Sequence, residues 1–303
     1  MWVDWTSTSL RVLRAVAEYG SFTAAAEALG YTQSAVSRQV AALEQAARAQ
    51  LFERTPNGAR ITAAGRALLS PAASALDEID RAAQALGAPG SRPVTVRAGF
   101  FTSAGAALLV PALRLMRSRA PHVTVLARDG STRSLVRSLR ASTIDMAVLG
   151  MQPPFPAVDD QEPALVLDTL VEGELLVAVP ADSPIGGDGE TTLAELENAT
   201  WIAHTPTEPG FGVWPALQNR PRVHYQSRDW LTKLHLVAGG LGVTTVPPYL
   251  IGLLPDGVRL VRVIDGPPVM RRAALARLPG RLPTEVSEFV SCLRDCVHEL
   301  PLP

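Results

Sequence analysis

The sequence predicts a multidomain protein of the α and α/β classes: a small helical unit, a long linker helix and a two-lobed α/β domain. Three observations predict this order. Apolar residues recur at helical spacing up to about residue 87, and residues 87–93 are rich in glycine and proline. From residue 94 onward, short apolar strands alternate with helices. The chain has 303 residues and is 47% apolar, enough for more than one core.

Three short helices are predicted in the N-terminal unit. The first covers about residues 7–19 and ends at a glycine, and the second begins after Ser21, a residue type that caps helices. The third runs from Gln33 to about Ala46. Its Val36, Val40 and Leu43 recur at helical spacing and should face inward, so its opposite face is exposed.

The exposed face of the third helix is slender and polar. Arg38 can donate two parallel hydrogen bonds to guanine or phosphate, and Gln33 can form hydrogen bonds with adenine. Ser34 and Ser37 can bind either a base or a phosphate. For this helix alone, an ordinary solvated face is the simpler interpretation. The segment that follows this helix in the sequence favours DNA binding.

A basic hairpin follows the third helix. Residues 51–55 and 60–62 read as short strands around the turn Pro56-Asn57-Gly58. Arg54 and Arg60 flank this turn, where a wing meets the sugar-phosphate backbone. Helix, turn, helix and wing in this order predict a winged helix-turn-helix, which places its recognition helix in the major groove of double-stranded DNA.

A long helix should begin after Thr62 and reach about Gly87. Pro71 is expected to kink it or mark its effective start. Apolar residues spaced by threes and fours predict an exposed seam that pairs with a second copy of the chain: Leu68, Ala72, Ala75, Ile79, Ala82 and Leu86. The sequence therefore predicts a homodimer or homotetramer.

About the first 86 residues resemble the LysR-type transcriptional regulators. The resemblance rests on the segments 20–26, 33–39, 43–44, 51–54 and 61–65. It implies that seven residues meet DNA: Thr23, Gln33, Ser34, Ser37, Arg38, Arg54 and Arg60. It also makes RNA polymerase a candidate partner.

The chain departs from the family pattern at two places. Arg48 stands where the family usually has glycine, which predicts a non-glycine residue at positive φ, at a cost of about 1 kcal/mol. Asn57-Gly58 replaces a commonly basic wing tip. Because residues 1–66 hold seven arginines against five acidic residues, a net charge of +2, DNA reading should depend on base contacts, DNA shape and dimer geometry.

The rest of the chain, about residues 93–300, resembles more loosely the periplasmic-binding-protein-like effector domain of the same family. Strands at 94–99, 123–127 and 144–149, alternating with helices, predict a parallel sheet, and a second such run begins near residue 174. Extended crossings near 166–175 and 258–264 should join the lobes. The predicted domains are 1–62, 63–87 and 93–303, with one lobe at about 93–165 and 265–303 and the other at about 166–264.

Small ligands of open α/β sheets settle beyond the carboxyl ends of strands. Hydroxyl and imidazole groups at such places predict a site for a small polar or anionic effector: Thr102, Ser103, Ser131, Thr132, His204, Thr205 and Thr245. For Ser131, a plain helix cap is an equally good interpretation.

Two other classes of function are alternatives for this sequence. A small-molecule-binding protein or transport component would use the two-lobed domain alone, but it would have no need of the DNA-binding unit. An enzyme could use Ser103, His204 and Asp229 as a triad, but no nucleophile-elbow motif supports it. We predict no catalytic residue, no metal and no cofactor other than the effector. Cys292 and Cys296 are expected to be buried apolar residues.

The expected location is the cytoplasm. The first residues resemble no secretion signal, and glycines and prolines interrupt the charge-free stretch at 236–255, which argues against a membrane helix.

Overall fold

The computed structural model describes residues 5–56, 58–87, 94–204, 212–217 and 221–300, without the side chains of 81 and 83–87. The N-terminal unit contains α1 (Ser7–Tyr19), α2 (Phe22–Leu29), α3 (Gln33–Ala47), β1 (Phe52–Thr55), β2 (Gly58–Ile61) and α4 (Ala63–Gly87). Strands β1 and β2 form an antiparallel hairpin. Its tip residue Asn57 lies outside the described residues.

The predicted apolar face of α3 and the predicted start of the long helix are confirmed, and both helices are capped by threonines. Thr32 caps α3 through its side-chain oxygen, and Val36, Val40 and Leu43 are buried. Thr62 accepts a hydrogen bond from the Gly65 amide at the start of α4. Arg48 ends α3 with a φ of 52°, so the expected non-glycine residue in the left-handed region is present.

The long helix begins at Ala63, directly after Thr62, as predicted. Pro71 lies inside α4, so it does not mark the effective start of the helix. The expected seam differs from its prediction, because Leu68 and Ala72 are buried with Leu76 in the core of the N-terminal unit. The seam positions 75, 79 and 82 remain exposed.

The C-terminal domain begins with β3 (Val94–Phe100), α5 (Thr102–Ala104), a π-helical turn (Gly105–Leu109), α6 (Val110–Arg119), β4 (Val123–Asp129), α7 (Thr132–Arg140) and β5 (Met146–Met151). The chain then forms β6 (Val166–Glu174), β7 (Leu176–Pro180), β8 (Glu190–Thr191), α8 (Leu193–Glu197), β9 (Thr200–Ala203) and β10 (Arg222–Gln226). It ends with α9 (Trp230–Ala238), β11 (Thr244–Val246), a 3-10 helix (Pro248–Leu253), β12 (Val258–Val263), β13 (Met270–Arg277) and α10 (Thr284–His298).

The predicted parallel sheet is in fact mixed. One sheet has the strand order β4-β3-β5-β13-β6. Strand β3 runs parallel to β4 and β5, whereas β13 is antiparallel to both β5 and β6. The second sheet has the order β11-β7-β12-β8, in which β7 is antiparallel to β11 and β12. The extended crossings expected near 166–175 and 258–264 are the strands β6 and β12, after each of which the chain passes from one sheet to the other.

One apolar core joins residues of both sheets. It includes Phe100 from the first sheet, Val246 from the second, Leu250 from the 3-10 helix and Phe289 from α10. None of the described helices is long and apolar enough to cross a membrane.

Candidate nucleic-acid interface and effector site

The start of α3 presents its predicted DNA-binding side chains to solvent. Gln33, Ser34 and Arg38 are exposed, and Ser37 is half-buried. The Gln33 amide nitrogen donates to the Ser37 hydroxyl over 3.0 Å. Arg38 makes no hydrogen bond or ion pair within the described part of the chain, so its fork of N–H donors is available.

Arg54 connects the wing to the recognition helix. Its Nη2 lies 3.3 Å from the Ser37 hydroxyl, and its guanidinium carbon stands 4.7 Å from the centre of the Phe22 ring. Phe22 in turn makes an edge contact with Phe52 of β1. Helix α2, helix α3 and the wing thus meet around one arginine, which holds the wing beside the exposed face of α3.

Arg60, on the other strand of the wing, is paired. Its Nε and Nη2 donate to Oε2 of Glu53 across the hairpin at 3.1 and 2.6 Å. These hydrogen bonds raise the pKa of Arg60 above its ordinary value. Its side chain is 74% exposed. Thr23 is exposed on α2. A wing charge partly neutralised by Glu53 agrees with an expected weak contribution from phosphate attraction.

In the C-terminal domain, the ends of β3, β4 and β5 bring several predicted effector residues to one edge of the sheet. Ser131 accepts from the Ser134 amide and so caps α7. The Thr132 hydroxyl donates to the Gly150 carbonyl over 3.3 Å. Thr102 is exposed and Ser103 is buried. Parallel strands place their carboxyl ends together, which explains this grouping.

Ser103 lies beside two residues that no motif in the sequence identifies, Tyr249 and Arg271. Its hydroxyl faces that of Tyr249, and the Arg271 guanidinium lies close enough to influence the same phenol. Burial raises the pKa of Tyr249 to about 12. The three side chains, which we call the Ser103 cluster, are only 6–8% exposed. The Tyr249 ring also contacts Phe101 edge-on, with ring centres 5.3 Å apart.

Arg271 is a buried cation without a carboxylate partner among the described residues. Its Nη1 donates to the carbonyl of Met270, and burial lowers the pKa of the guanidinium. No signal in the sequence distinguishes this arginine from Arg272 beside it, which forms an ion pair with Glu172. The difference arises because successive side chains of a strand point to opposite faces.

The remaining predicted residues lie near the second sheet. His204 is half-buried directly after β9, and Thr205 lies outside the described residues. Thr245 is 2% exposed within β11, where its amide donates to the Gly212 carbonyl. Helix α9 holds a second buried cation, Lys233. Its Nζ has no hydrogen-bond partner within the described structure and lies 4.3 Å from the centre of the Trp230 ring.

The triad alternative gains no support from this geometry. Both carboxylate oxygens of Asp229 accept backbone amides of α9, from Leu231 and Thr232, so Asp229 is a helix cap. Ser103 faces a tyrosine. Within the described residues, no three histidine, cysteine, aspartate or glutamate side chains form a group that could hold a metal.

The N-terminal unit is a winged helix-turn-helix, and it is joined to a domain of two β-sheets packed with helices. This architecture defines the class of two-domain transcriptional regulators. The family model of the lysR-type bacterial regulatory helix-turn-helix protein matches residues 7–66, and that of the LysR substrate binding domain matches residues 90–297. The chain belongs to the LysR-type transcriptional regulators.

Several known proteins are similar over most of this chain. The Hca operon transcriptional activator HcaR of Escherichia coli is 26% identical over 292 residues, 94% of this chain and 96% of HcaR. The probable regulator LrrA of Synechococcus elongatus is 31% identical over 258 residues, 83% of this chain and 84% of LrrA. A probable hydrogen peroxide-inducible genes activator of Streptomyces viridosporus is 28% identical, covering 97% and 95%.

Solved structures share the fold along nearly the whole chain. Full-length OxyR of Pseudomonas aeruginosa, in a cysteine-to-aspartate variant, has a TM-score of 0.62 at 20% identity, covering 98% of this chain and 96% of that one. Full-length CbnR in complex with its target DNA has a TM-score of 0.52 at 24% identity, covering 97% and 100%.

Proposed function

We propose that this regulator responds to a small molecule with an anionic group, bound at the Ser103 cluster. The observation that carries the proposal is Arg271, a buried guanidinium with no carboxylate partner in the described structure. A buried charge is costly unless it is paired, and a guanidinium is well shaped for a carboxylate or phosphate. Ser103 and Tyr249 add hydroxyl groups that can donate to the same anion.

The Ser103 cluster can report ligand binding because it joins the two sheets. Ser103 follows β3 of the first sheet, whereas Tyr249 follows β11 of the second. An anion that contacts both favours one arrangement of the lobes over another. Such a difference in affinity between arrangements is the requirement for a ligand to shift an equilibrium.

The regulatory output would pass through paired DNA-binding units. Here we propose domains at about 1–62, 63–87 and 93–303, with the seven residues named above contacting DNA. The exposed Ile79, in line with Ala75 and Ala82 on α4, offers an apolar stripe for a second copy of the chain.

Peroxide sensing is a second candidate, because one relative carries the name of a peroxide-inducible activator. The environment of the two cysteines argues against peroxide sensing. Cys292 and Cys296 are buried in α10, and burial raises the pKa of the Cys296 thiol to about 11. Since the thiolate is the reactive form, a thiol with a raised pKa is poorly suited to react with peroxide.

The DNA-binding proposal predicts that Arg38→Ala loses sequence-specific binding. Removing a bidentate contact to a base should weaken binding about ten- to a hundredfold. Binding is measured by fluorescence anisotropy on the sequence that the wild-type protein selects from a random DNA pool. Arg48→Gly is the matched control, because it removes one charge from the far end of the same helix at a position that favours glycine. Equal affinity of Arg38→Ala and Arg48→Gly would remove α3 from the proposed interface.

The effector proposal predicts that the molecules stabilising this protein in a thermal-shift screen are anions. In Arg271→Gln, affinity for those molecules should fall about tenfold or more, because a charge-assisted hydrogen bond is lost. Arg272→Gln is the control, since Arg272 lies on the other face of β13 and pairs with Glu172. A screen whose hits are all neutral, or an unchanged affinity in Arg271→Gln, would contradict the proposed ligand class.

A further inference from the structure

A cavity of about 340 Å³ lies between the DNA-binding unit and the C-terminal domain. One wall comes from the end of α1, the wing and the start of α4, and the other from the end of α7 and two loops. Four arginines line it, two from each side: Arg60, Arg66, Arg137 and Arg140. We call this space the interdomain cavity. It is separate from the Ser103 cluster, none of whose residues lines it.

The two walls are held together by contacts beside the cavity. Glu18 of α1 forms an ion pair with Arg128, and Asp77 of α4 forms one with Arg97 over 3.1 Å. Ala141, after α7, is buried in the core of the DNA-binding unit. The cavity therefore belongs to a docked arrangement of the two units.

Two of the four arginines already have carboxylate partners. Arg60 pairs with Glu53, and Arg140 binds both oxygens of Asp159 at 2.8 Å. Arg140 also donates to the carbonyls of Gln161 and Pro163, in the same loop as Asp159. These two side chains shape the walls of the cavity, and their charges are largely compensated.

The other two arginines, Arg66 and Arg137, lack such a partner among the described residues. Arg66 of α4 donates to the Ile61 carbonyl. The Arg137 side chain on α7 makes no hydrogen bond within the described structure, and its Nε is buried without a partner. Its Nη1 packs over Gly20, where a Cβ atom would lie only 2.8 Å away. Arg137 is thus fixed against the DNA-binding unit with unused donors.

The charge of the lining favours an anion. Among the described lining residues, Glu162 is the one acidic side chain, and it accepts the Ala164 amide. A buried donor without a partner is costly, so a ligand that supplies an acceptor gains affinity. The rest of the lining is mainly apolar: Ala17, Ala59, Ile61, Leu69, Pro163, Leu278 and Pro279.

We propose that the interdomain cavity is a second ligand site, which takes a small organic anion with a phosphate or carboxylate group and a short apolar part. The anion would lie between Arg66 and Arg137 and link the DNA-binding unit to the C-terminal domain. Because the ligand contacts both walls, it stabilises the docked arrangement relative to any arrangement in which they separate. It thereby controls how freely the wing and recognition helix are placed on DNA.

The test uses the full-length protein with phenyl phosphate and benzoate as probes and benzyl alcohol as the neutral control, at constant ionic strength. Binding is measured by calorimetry and the melting temperature. At least one of the two anions should bind and benzyl alcohol should not, and the stronger anion identifies the preferred group. Arg137→Gln and Arg66→Gln should each weaken anion binding about tenfold.

Matched variants separate this site from other causes. Arg133→Gln removes a charge from an exposed position of α7 and should bind as the wild type does. Arg271→Gln should also keep this binding, whatever its effect at the Ser103 cluster. Hydrogen exchange should slow at the end of α1 and in α7 together, because both walls contact the ligand. A loss in Arg133→Gln equal to that in Arg137→Gln would overturn the proposal. So would anion binding that survives both Arg66→Gln and Arg137→Gln when each is combined with Arg271→Gln, or the absence of binding by either anion.

Discussion

Replacing Lys233 with methionine is expected to stabilise the protein at pH 7 by about 2 kcal/mol, an unusual result for a buried residue. Lys233 is the only lysine of the chain and is fully buried. Burial lowers the pKa of its ammonium from 10.5 to about 8, against the opposing attraction of Asp229. A shift of this size corresponds to about 3 kcal/mol, from which the lost contact with Trp230 subtracts about 1 kcal/mol.

The effect of Lys233 should depend on pH with a definite sign. Below pH 8 both the folded and the unfolded chain carry the proton, so the folded state bears the full cost of the buried charge. Between pH 8 and about 10.5 the unfolded chain binds more protons, so the contribution of Lys233 to stability improves as the pH rises. The advantage of Lys233→Met over the wild type should therefore shrink from pH 7 to pH 10.

Urea denaturation at pH 7 and pH 10 checks this expectation. Lys233→Arg is the matched control, because arginine keeps its charge at both pH values and cannot relieve the cost. Lys233→Arg should be less stable than the wild type, and this difference in the free energy of unfolding should be larger at pH 10 than at pH 7. If Lys233→Met is less stable than the wild type at pH 7, burial of the charge is not what dominates at this position.

Patterns carried within a short segment were predictable from the sequence. Helix α3 was predicted to within a residue because Thr32 supplies its cap and its buried side chains repeat at the helical period. Helix α9 likewise lies between local signals, the capping Asp229 before it and Gly239 after it. Arg48 at positive φ was expected from the family resemblance, because the family usually has glycine at that position.

Features that depend on pairing between distant segments were not predictable. Strand β13 enters the first sheet antiparallel between β5 and β6, and nothing in an apolar run encodes its partner or direction. Part of the expected dimer seam is buried within the chain, because a small helical unit also needs an apolar face to close its own core. The spacing along α4 cannot tell these two uses apart.

The candidate effector site was predicted in part for the same reason. Ser103 could be found because it follows a recognisable strand. Tyr249 and Arg271 could not be found from the sequence, because only the packing of the 3-10 helix and of β13 places these two residues beside Ser103. Arg137 likewise gains its significance only from the docking of α1 against α7.

Gly65→Ala is expected to destabilise the DNA-binding unit by about 2–3 kcal/mol. Gly65 is in the first turn of α4. Helix propensity alone would favour alanine by about 1 kcal/mol. However, a Cβ atom there would lie 2.3 Å from the Leu51 carbonyl oxygen and 2.6 Å from a side-chain carbon of Ile61. The carbonyl cannot withdraw easily, because it also accepts the Thr62 amide that joins the hairpin to the helix.

The control for this substitution is Gly105→Ala, another helical glycine, where a Cβ atom would meet nothing within 4 Å. Denaturation followed by circular dichroism should show a loss of stability for Gly65→Ala, and no loss or a gain for Gly105→Ala. DNA affinity should fall with the folded fraction in Gly65→Ala and recover at lower temperature. A Gly65→Ala protein as stable as the wild type would mean that the wing and α4 can separate without cost. The position of Arg54 against Ser37 and Phe22 would then not depend on this contact.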